Sequence, residues 1–355
     1  MTNRFLQLLQ DKPFLMADGA TGTNLFLAGL MTGDSPETWN FLHPEKITAL
    51  HQSFVDAGSD VILTNSFGGT RHRLKLHGDQ DKVYEINKRA AEIARAVADK
   101  AMQETPGRVV IVGGSIGPTG ELFQPLGALT EEDGIAAFEE QAIALRDGGV
   151  DVLWIETMSA REEVAAAVKG AAKAGLPIVT TCSFDTNGRT MMGITPADFA
   201  QFVHTLDPKP VAYGANCGVG ASDLTATILQ MAAAAQPGDI IVAKGNCGIP
   251  FYEEGKIKYN GTPELMGDYA KLVRDAGARI VGGCCGTSPE HLESIRASLD
   301  SHTPGEKPTL ETITSKLGPL TSGAEASLSG HAPAGGGDSE RRGRRRRASA
   351  DDASF

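Results

Sequence analysis

No stretch of this sequence approaches 18 consecutive apolar residues, so no membrane-spanning helix is expected. The opening MTNRFLQLLQ has no apolar run followed by a small-residue cleavage site. It does not read as a secretory signal, and the cytoplasm is the expected compartment. Positive charge is in deficit: 33 Lys and Arg stand against 44 Asp and Glu, and the net charge of −11 argues against a catalytic domain that grips nucleic acid. Cysteine is sparse, with Cys182, Cys217, Cys247, Cys284 and Cys285 in 355 residues. An odd count in a long chain without a secretory signal does not make a disulfide framework, so metal binding or catalysis is the better reading.

What the sequence does have is repetition. Eight short apolar runs occupy residues 14–18, 61–67, 109–116, 152–158, 178–184, 211–217, 240–246 and 279–285. Each is rich in Val, Ile or small residues with little polar alternation, which suits parallel strands buried on both faces. Helical stretches lie between them. His43-Pro44-Glu45, Thr130 with Asp133, Ser159, and Thr195 with Pro196 supply starts. Glycines at 58, 149, 175 and 277 supply stops. Eight βα units in under 300 residues predict an α/β fold, a single-domain (β/α)8 TIM-type barrel over residues 1–300. An open doubly wound sheet has the same element order. From residue 301 to 355 the composition turns to Gly, Ser, Pro and Ala, with an Arg run that begins at Arg341 and ends at Arg347. This stretch reads as a disordered tail, solvated rather than functional, although its Arg run has the chemistry to touch RNA or an acidic partner.

In such a barrel, function gathers at the C-terminal ends of the strands. Those ends carry Asp18-Gly19, Thr64-Asn65-Ser66, Gly114-Ser115, Glu156-Thr157, Asp185, Asn216-Cys217, Asn246-Cys247 and Cys284-Cys285. Four of the five cysteines stand at the ends of the last three strands, which should converge. Three thiolates can hold one Zn2+ and leave a fourth position open, the layout of a catalytic zinc site. All-sulfur ligation leaves a bound substrate sulfur electron-rich, which suits thiol alkylation. The competing reading makes Cys284-Cys285 a vicinal disulfide or a pair of small core residues. Consecutive strand residues point to opposite faces, so both reach one metal only if the strand ends there. Lys244 offers a Schiff-base amine, as in an aldolase-type barrel, but no second catalytic group accompanies it in the sequence.

The string Gly282-Gly283-Cys284-Cys285-Gly286-Thr287 resembles the zinc motif of the homocysteine S-methyltransferase family, which includes betaine–homocysteine methyltransferases and the homocysteine-binding module of cobalamin-dependent methionine synthase. Asp18-Gly19-Ala20-Thr21-Gly22-Thr23, Thr64-Asn65-Ser66-Phe67, Glu156-Thr157 and Gly214-Ala215-Asn216-Cys217 resemble further motifs of that family, over about residues 10–300. The resemblance implies one zinc per chain on Cys217, Cys284 and Cys285. It implies homocysteine bound through its sulfur, with Asp18, Gly19, Glu156 and Asn216 at the substrate. Glu156 is the candidate anion for the substrate ammonium. Cys247 reads as a small packing residue near the site, and Cys182 as core.

The methyl donor is less determined. Glycine betaine is a quaternary ammonium and calls for aromatic faces, for which Trp39, Phe41, Phe67 and Phe123 are candidates. The barrel most resembles bacterial betaine–homocysteine methyltransferases. A separate methylated corrinoid protein is the alternative donor. The oligomeric state is left open.

Overall fold

In the computed structural model, residues 3–248, 250–253, 256–321 and 323–325 are described. The strands of the main sheet are β1 (Leu15–Met16), β2 (Val61–Leu63), β3 (Ile111–Ile116), β4 (Val152–Met158), β5 (Ile178–Cys182), β6 (Ala212–Cys217), β7 (Ile241–Gly245) and β10 (Ala278–Gly283). Between β7 and β10 stands a two-stranded antiparallel hairpin, β8 (Pro250–Glu253) and β9 (Lys256–Tyr259). The helices are α1 (Arg4–Asp11), α2 (Thr21–Leu27), α3 (Trp39–Leu42), α4 (Pro44–Asp56), α5 (Arg71–Leu74), α6 (Val83–Glu104), α7 (Glu131–Asp147), α8 (Arg161–Ala172), α9 (Pro196–Val203), α10 (Ala221–Ala234), α11 (Pro263–Ala276), α12 (Pro289–Ser301) and α13 (Leu310–Leu317).

The eight main strands are parallel and run in the order β1-β10-β7-β6-β5-β4-β3-β2. The ring closes between β1 and β2 through one parallel bridge, Ala17 to Val61. Two aspartates supplement that short seam. Asp18 accepts from the Leu63 amide at 2.7 Å, and Asp60 accepts from the Met16 amide at 2.8 Å. The architecture is therefore the expected TIM barrel, not the open sheet. The interior is filled by Leu15, Leu63, Ile111, Val152, Trp154, Val179, Val242 and Ile280. Phe5, Leu8 and Leu9 of α1 join this cluster from the N-terminal face. A fully buried Leu, Val or Phe side chain contributes about 1.5–3 kcal/mol, so this interior holds the strands rigid under whatever stands at their C-terminal ends.

Local signals explain most boundaries. Thr130 and Thr195 accept from the Asp133 and Asp198 amides and cap α7 and α9. Gly58, Gly149, Gly175 and Gly277 all have positive φ just past a helix, as the stop signals require. Ser159 does not cap α8. Ala160 takes that position without a side-chain bond, and the Ser159 carbonyl instead accepts from Thr190.

The packed structure extends beyond the boundary placed after residue 300. Helix α13 lies within the stretch whose composition suggested a disordered tail, and its Ile313 and Leu317 join the main hydrophobic core. Composition averaged over 55 residues hid this one amphipathic helix of about two turns from view. The remainder of the tail, including the Arg run, lies outside the described residues.

At the N-terminal face, Asp239 joins the elements that precede β7. It accepts from the Gln236 amide, His204, Lys209 and the Tyr213 hydroxyl at 2.8–3.1 Å. Burial alone would raise its pKa, but these four bonds outweigh it and hold the carboxyl down at about 2. A depressed carboxylate stabilises the fold above its unfolded pKa, near 4, and that stabilisation is lost as pH falls toward 2. Asp239→Asn is expected to cost about 1–3 kcal/mol in urea unfolding at pH 7. The gap from the parent should narrow between pH 4 and pH 2; a pH-independent gap would contradict this account.

Candidate metal centre

Cys217 is the last residue of β6, while Cys284 and Cys285 follow directly on β10. Because β10 ends at Gly283, the consecutive cysteines sit in a turn, closed by the Thr287 amide on the Cys284 carbonyl at 3.1 Å, and both face the same point. The three sulfurs lie within 4.8 Å of one another. Cys217 and Cys285 are 3.9 Å apart and all five cysteines are free thiols. Two sulfurs at 2.3 Å from one tetrahedral zinc would stand about 3.8 Å apart, so this spacing fits a shared ion and not a disulfide. Hydrogen bonds among the thiols pull both ways: Cys284 lowers Cys217, and Cys217 lowers Cys285. Bonding in the opposite sense and burial prevail, pushing Cys217 and Cys285 up to about 12.

The backbone around the cluster is held under strain. Cys217 has φ of 60° and Thr157, at the matching end of β4, has φ of 62°; neither is glycine. Asn216 locks them together. Its Oδ1 accepts from the Thr157 amide at 2.8 Å and the Thr181 hydroxyl at 2.6 Å. Its Nδ2 donates to Thr157 Oγ1 at 2.7 Å and lies 3.9 Å from Cys284 Sγ. Asn246 does the same on the other side, accepting from the Cys285 amide at 3.0 Å and donating to the Gly218 carbonyl at 2.8 Å. Sequence reasoning singled out Asn216 but passed over Asn246, although the repeated Asn-Cys-Gly string offered it. In that second string the asparagine orients the site, while Cys247 turns away and donates to the Gly261 carbonyl at 3.3 Å. Cys182 is core, as expected.

Below the sulfurs lies a buried charge cluster. Lys244 Nζ donates to Asp18 Oδ1 at 2.6 Å, with both side chains at most 2% exposed. Burial alone would lower the Lys244 pKa, but Asp18 and Glu156 more than offset it, so the ammonium stays charged. Glu156 is buried and accepts from Ser115 Oγ at 2.6 Å. Burial pushes its carboxyl up, with Lys244 and Ser115 pulling it part of the way back. Lys244 is thus a paired structural cation rather than a free amine. The Asp18 carboxylate is fully used inside the barrel, and Gly19 serves close packing: a Cβ there would stand 2.7 Å from the Thr287 carbonyl of the cysteine turn.

The aromatic candidates do not form one group. Trp39 is buried edge-on to His43 at 4.7 Å and beneath Lys46 Nζ, and Phe123 is also buried. Phe41 and Phe67 stay on the rim. Next to Thr157 opens a cavity of about 300 Å³, walled by Leu122, Leu126, Met191 and Met192 and edged by Glu162 and Asp185.

The sequence pattern of the homocysteine S-methyltransferase family matches residues 15–299. The chain belongs to this family. It is 28% identical over 308 residues to methionine synthase of Mycobacterium leprae, a match covering 83% of this chain and 25% of that protein. The methionine synthase of Mycobacterium tuberculosis matches at 28% over 300 residues, 80% of this chain and 24% of that one. The family member described here thus spans about a quarter of the length of these curated relatives. Among solved structures, the homocysteine methyltransferase MmuM of Escherichia coli, in its metallated form, superimposes with a TM-score of 0.70 at 24% identity, over 83% of this chain and 99% of that one. Its oxidized form superimposes equally well. This likeness concerns the barrel itself. No helix among the described residues is long and apolar enough to cross a membrane.

Proposed function

We propose that the protein transfers a methyl group to the sulfur of L-homocysteine to give L-methionine, using one zinc ion held by Cys217, Cys284 and Cys285. The observation that carries this reading is the three-sulfur cluster at the ends of β6 and β10, beside the buried carboxylate at the end of β4. When bound, zinc would lower the pKa of an incoming thiol and so supply a sulfur nucleophile near neutral pH. The chain's own residues do the rest. Asn216 and Asn246 fix the cysteine turns and so the direction of sulfur approach. Glu156 receives the substrate ammonium. Lys244 and Ser115 offset part of the burial that disfavours its charged form, and an arriving ammonium would favour that form further. Asp18 acts through Lys244, and Gly19 lets the first loop close on the cysteine turn.

Glycine betaine is the proposed donor. Its trimethylammonium group suits the cavity beside Thr157, whose lining combines Leu122, Leu126, Met191 and Met192 with the acids Glu121, Glu162, Glu163 and Asp185 and contains no Lys or Arg. The similarity to methionine synthases favours a second reading, in which a separate methylated corrinoid protein brings the methyl group. Methionine formation from homocysteine, measured with each donor in turn, decides between them. Activity with neither would overturn the reading as a whole.

Glu156→Gln keeps the shape and removes the charge. It is expected to weaken homocysteine binding by about 1.5–3 kcal/mol, or ten- to a hundredfold, measured by calorimetry. Zinc content should not change, and thiols without an amino group should bind as they do to the parent. Unaltered homocysteine affinity would remove Glu156 from the substrate site.

A further inference from the structure

The last described residues do not trail away from the barrel. After α13 the chain turns along the C-terminal rim and lies against the loops that follow β5 and β6. Thr321 donates twice to the buried Asp223, from its hydroxyl at 2.6 Å and its amide at 3.3 Å. The Ser222 hydroxyl donates to the Pro319 carbonyl at 3.2 Å. Gly323 packs on Asn187, a residue with φ of 54° in the loop after β5. A Cβ at position 323 would stand 1.9 Å from Asn187 Oδ1 and 2.6 Å from its Cβ, so only glycine fits without moving that loop. Ala324 is buried beside it.

Ser222 and Asp223 are in the first turn of α10, which begins four residues after Cys217. The intervening turn is Gly218-Val219-Gly220, with Gly218 at φ of 79°. Such a turn has little stiffness of its own. On its inner side it is held by Asn246 on the Gly218 carbonyl. On its outer side the hold comes from α10, whose first turn is tied to residues 319–321. Cys217 itself is in a left-handed conformation that costs about 1–3 kcal/mol and persists only if its surroundings impose it.

From this geometry we infer that the chain after α13, through Pro319, Thr321, Gly323 and Ala324, acts as a C-terminal strap that positions Cys217, with Thr321 as the positioning residue that fastens it. The inference rests on the metal reading for its functional consequence. None of its residues is among the three sulfurs or the lining of the cavity beside Thr157. It removes freedom from the turn carrying the third sulfur, the one contributed by a different strand from the other two. Groups that orient ligands in this way typically contribute ten- to a hundredfold to metal affinity.

The test uses full-length Thr321→Val, Thr321→Ser and Gly323→Ala. Val keeps the volume and loses the hydroxyl bond, Ser keeps the bond, and Ala drives a methyl group into Asn187. Two quantities are read: amide exchange over residues 217–224, and the rate at which zinc passes to a chelator. The strap predicts faster exchange and about tenfold faster zinc transfer in Thr321→Val and Gly323→Ala, with Thr321→Ser close to the parent. A lower melting temperature with exchange and zinc transfer both at parental values would overturn it, since the strap would then be ordinary packing. The exchange measurement needs no metal. If the parent bound no zinc, exchange over 217–224 would still decide whether the strap holds the turn, while the failure would fall on the metal reading.

Discussion

Zinc content is expected to fall from about one ion per chain to near zero in Cys217→Ala, Cys284→Ala and Cys285→Ala, taken singly, and methionine formation with it. Each change leaves two sulfurs where three are needed to leave a single open position. Among the described residues no further Cys, His, Asp or Glu joins the three sulfurs, and Cys247 donates to the Gly261 carbonyl instead. Cys247→Ala should therefore retain its zinc. Metal analysis of the four purified proteins checks this directly. Full zinc in any of the first three, or loss of zinc from Cys247→Ala with the fold intact, would require a different ligand set.

Lys244→Met should unfold at markedly lower urea, corresponding to about 3–5 kcal/mol of lost stability. The substitution strands Asp18 in the barrel interior and removes the cation that offsets Glu156. Breaking a buried pair costs more than the pair itself is worth, because the remaining charge, here left with the Leu63 amide, has no countercharge. Adding Asp18→Asn to Lys244→Met should therefore recover much of the loss, a coupling visible in a double-mutant cycle. If the single and double variants were equally destabilised, the Asp18–Lys244 pair would not be the source of the cost.

The fold was legible because its signals are local and repeated. Runs of apolar residues gave strand positions within a few residues, and Gly58, Gly149, Gly175 and Gly277 gave the helix ends. The β8–β9 hairpin was not foreseen, since four-residue strands inside a connection carry too little periodicity to register. Within the site, the cysteines and Glu156 stood out by residue type and strand-end position. Their partners did not. Whether Lys244 is a reactive amine or a buried counterion depends on Asp18, which lies 226 residues away in the chain. Thr181 and Ser115 look like ordinary strand residues until the ring brings them to Asn216 and Glu156. Such pairings are properties of ring closure, and no window along the sequence contains them.

The single-bridge seam between β1 and β2 has a consequence for assembly. β1 is two residues long, and its ladder partner is β10, near the far end of the chain. Until β10 exists, β1 has one bridge and two aspartate bonds to hold it, too little to offset the entropy of ordering it. The same late strand delivers Cys284 and Cys285, and the same β1 delivers Asp18 to Lys244. A chain still missing its last eighty residues thus lacks both a closed ring and two of the three sulfurs. Completing the barrel and completing the thiol cluster are one event, and a half-made protein carries only one of the three sulfurs that a shared ion would need.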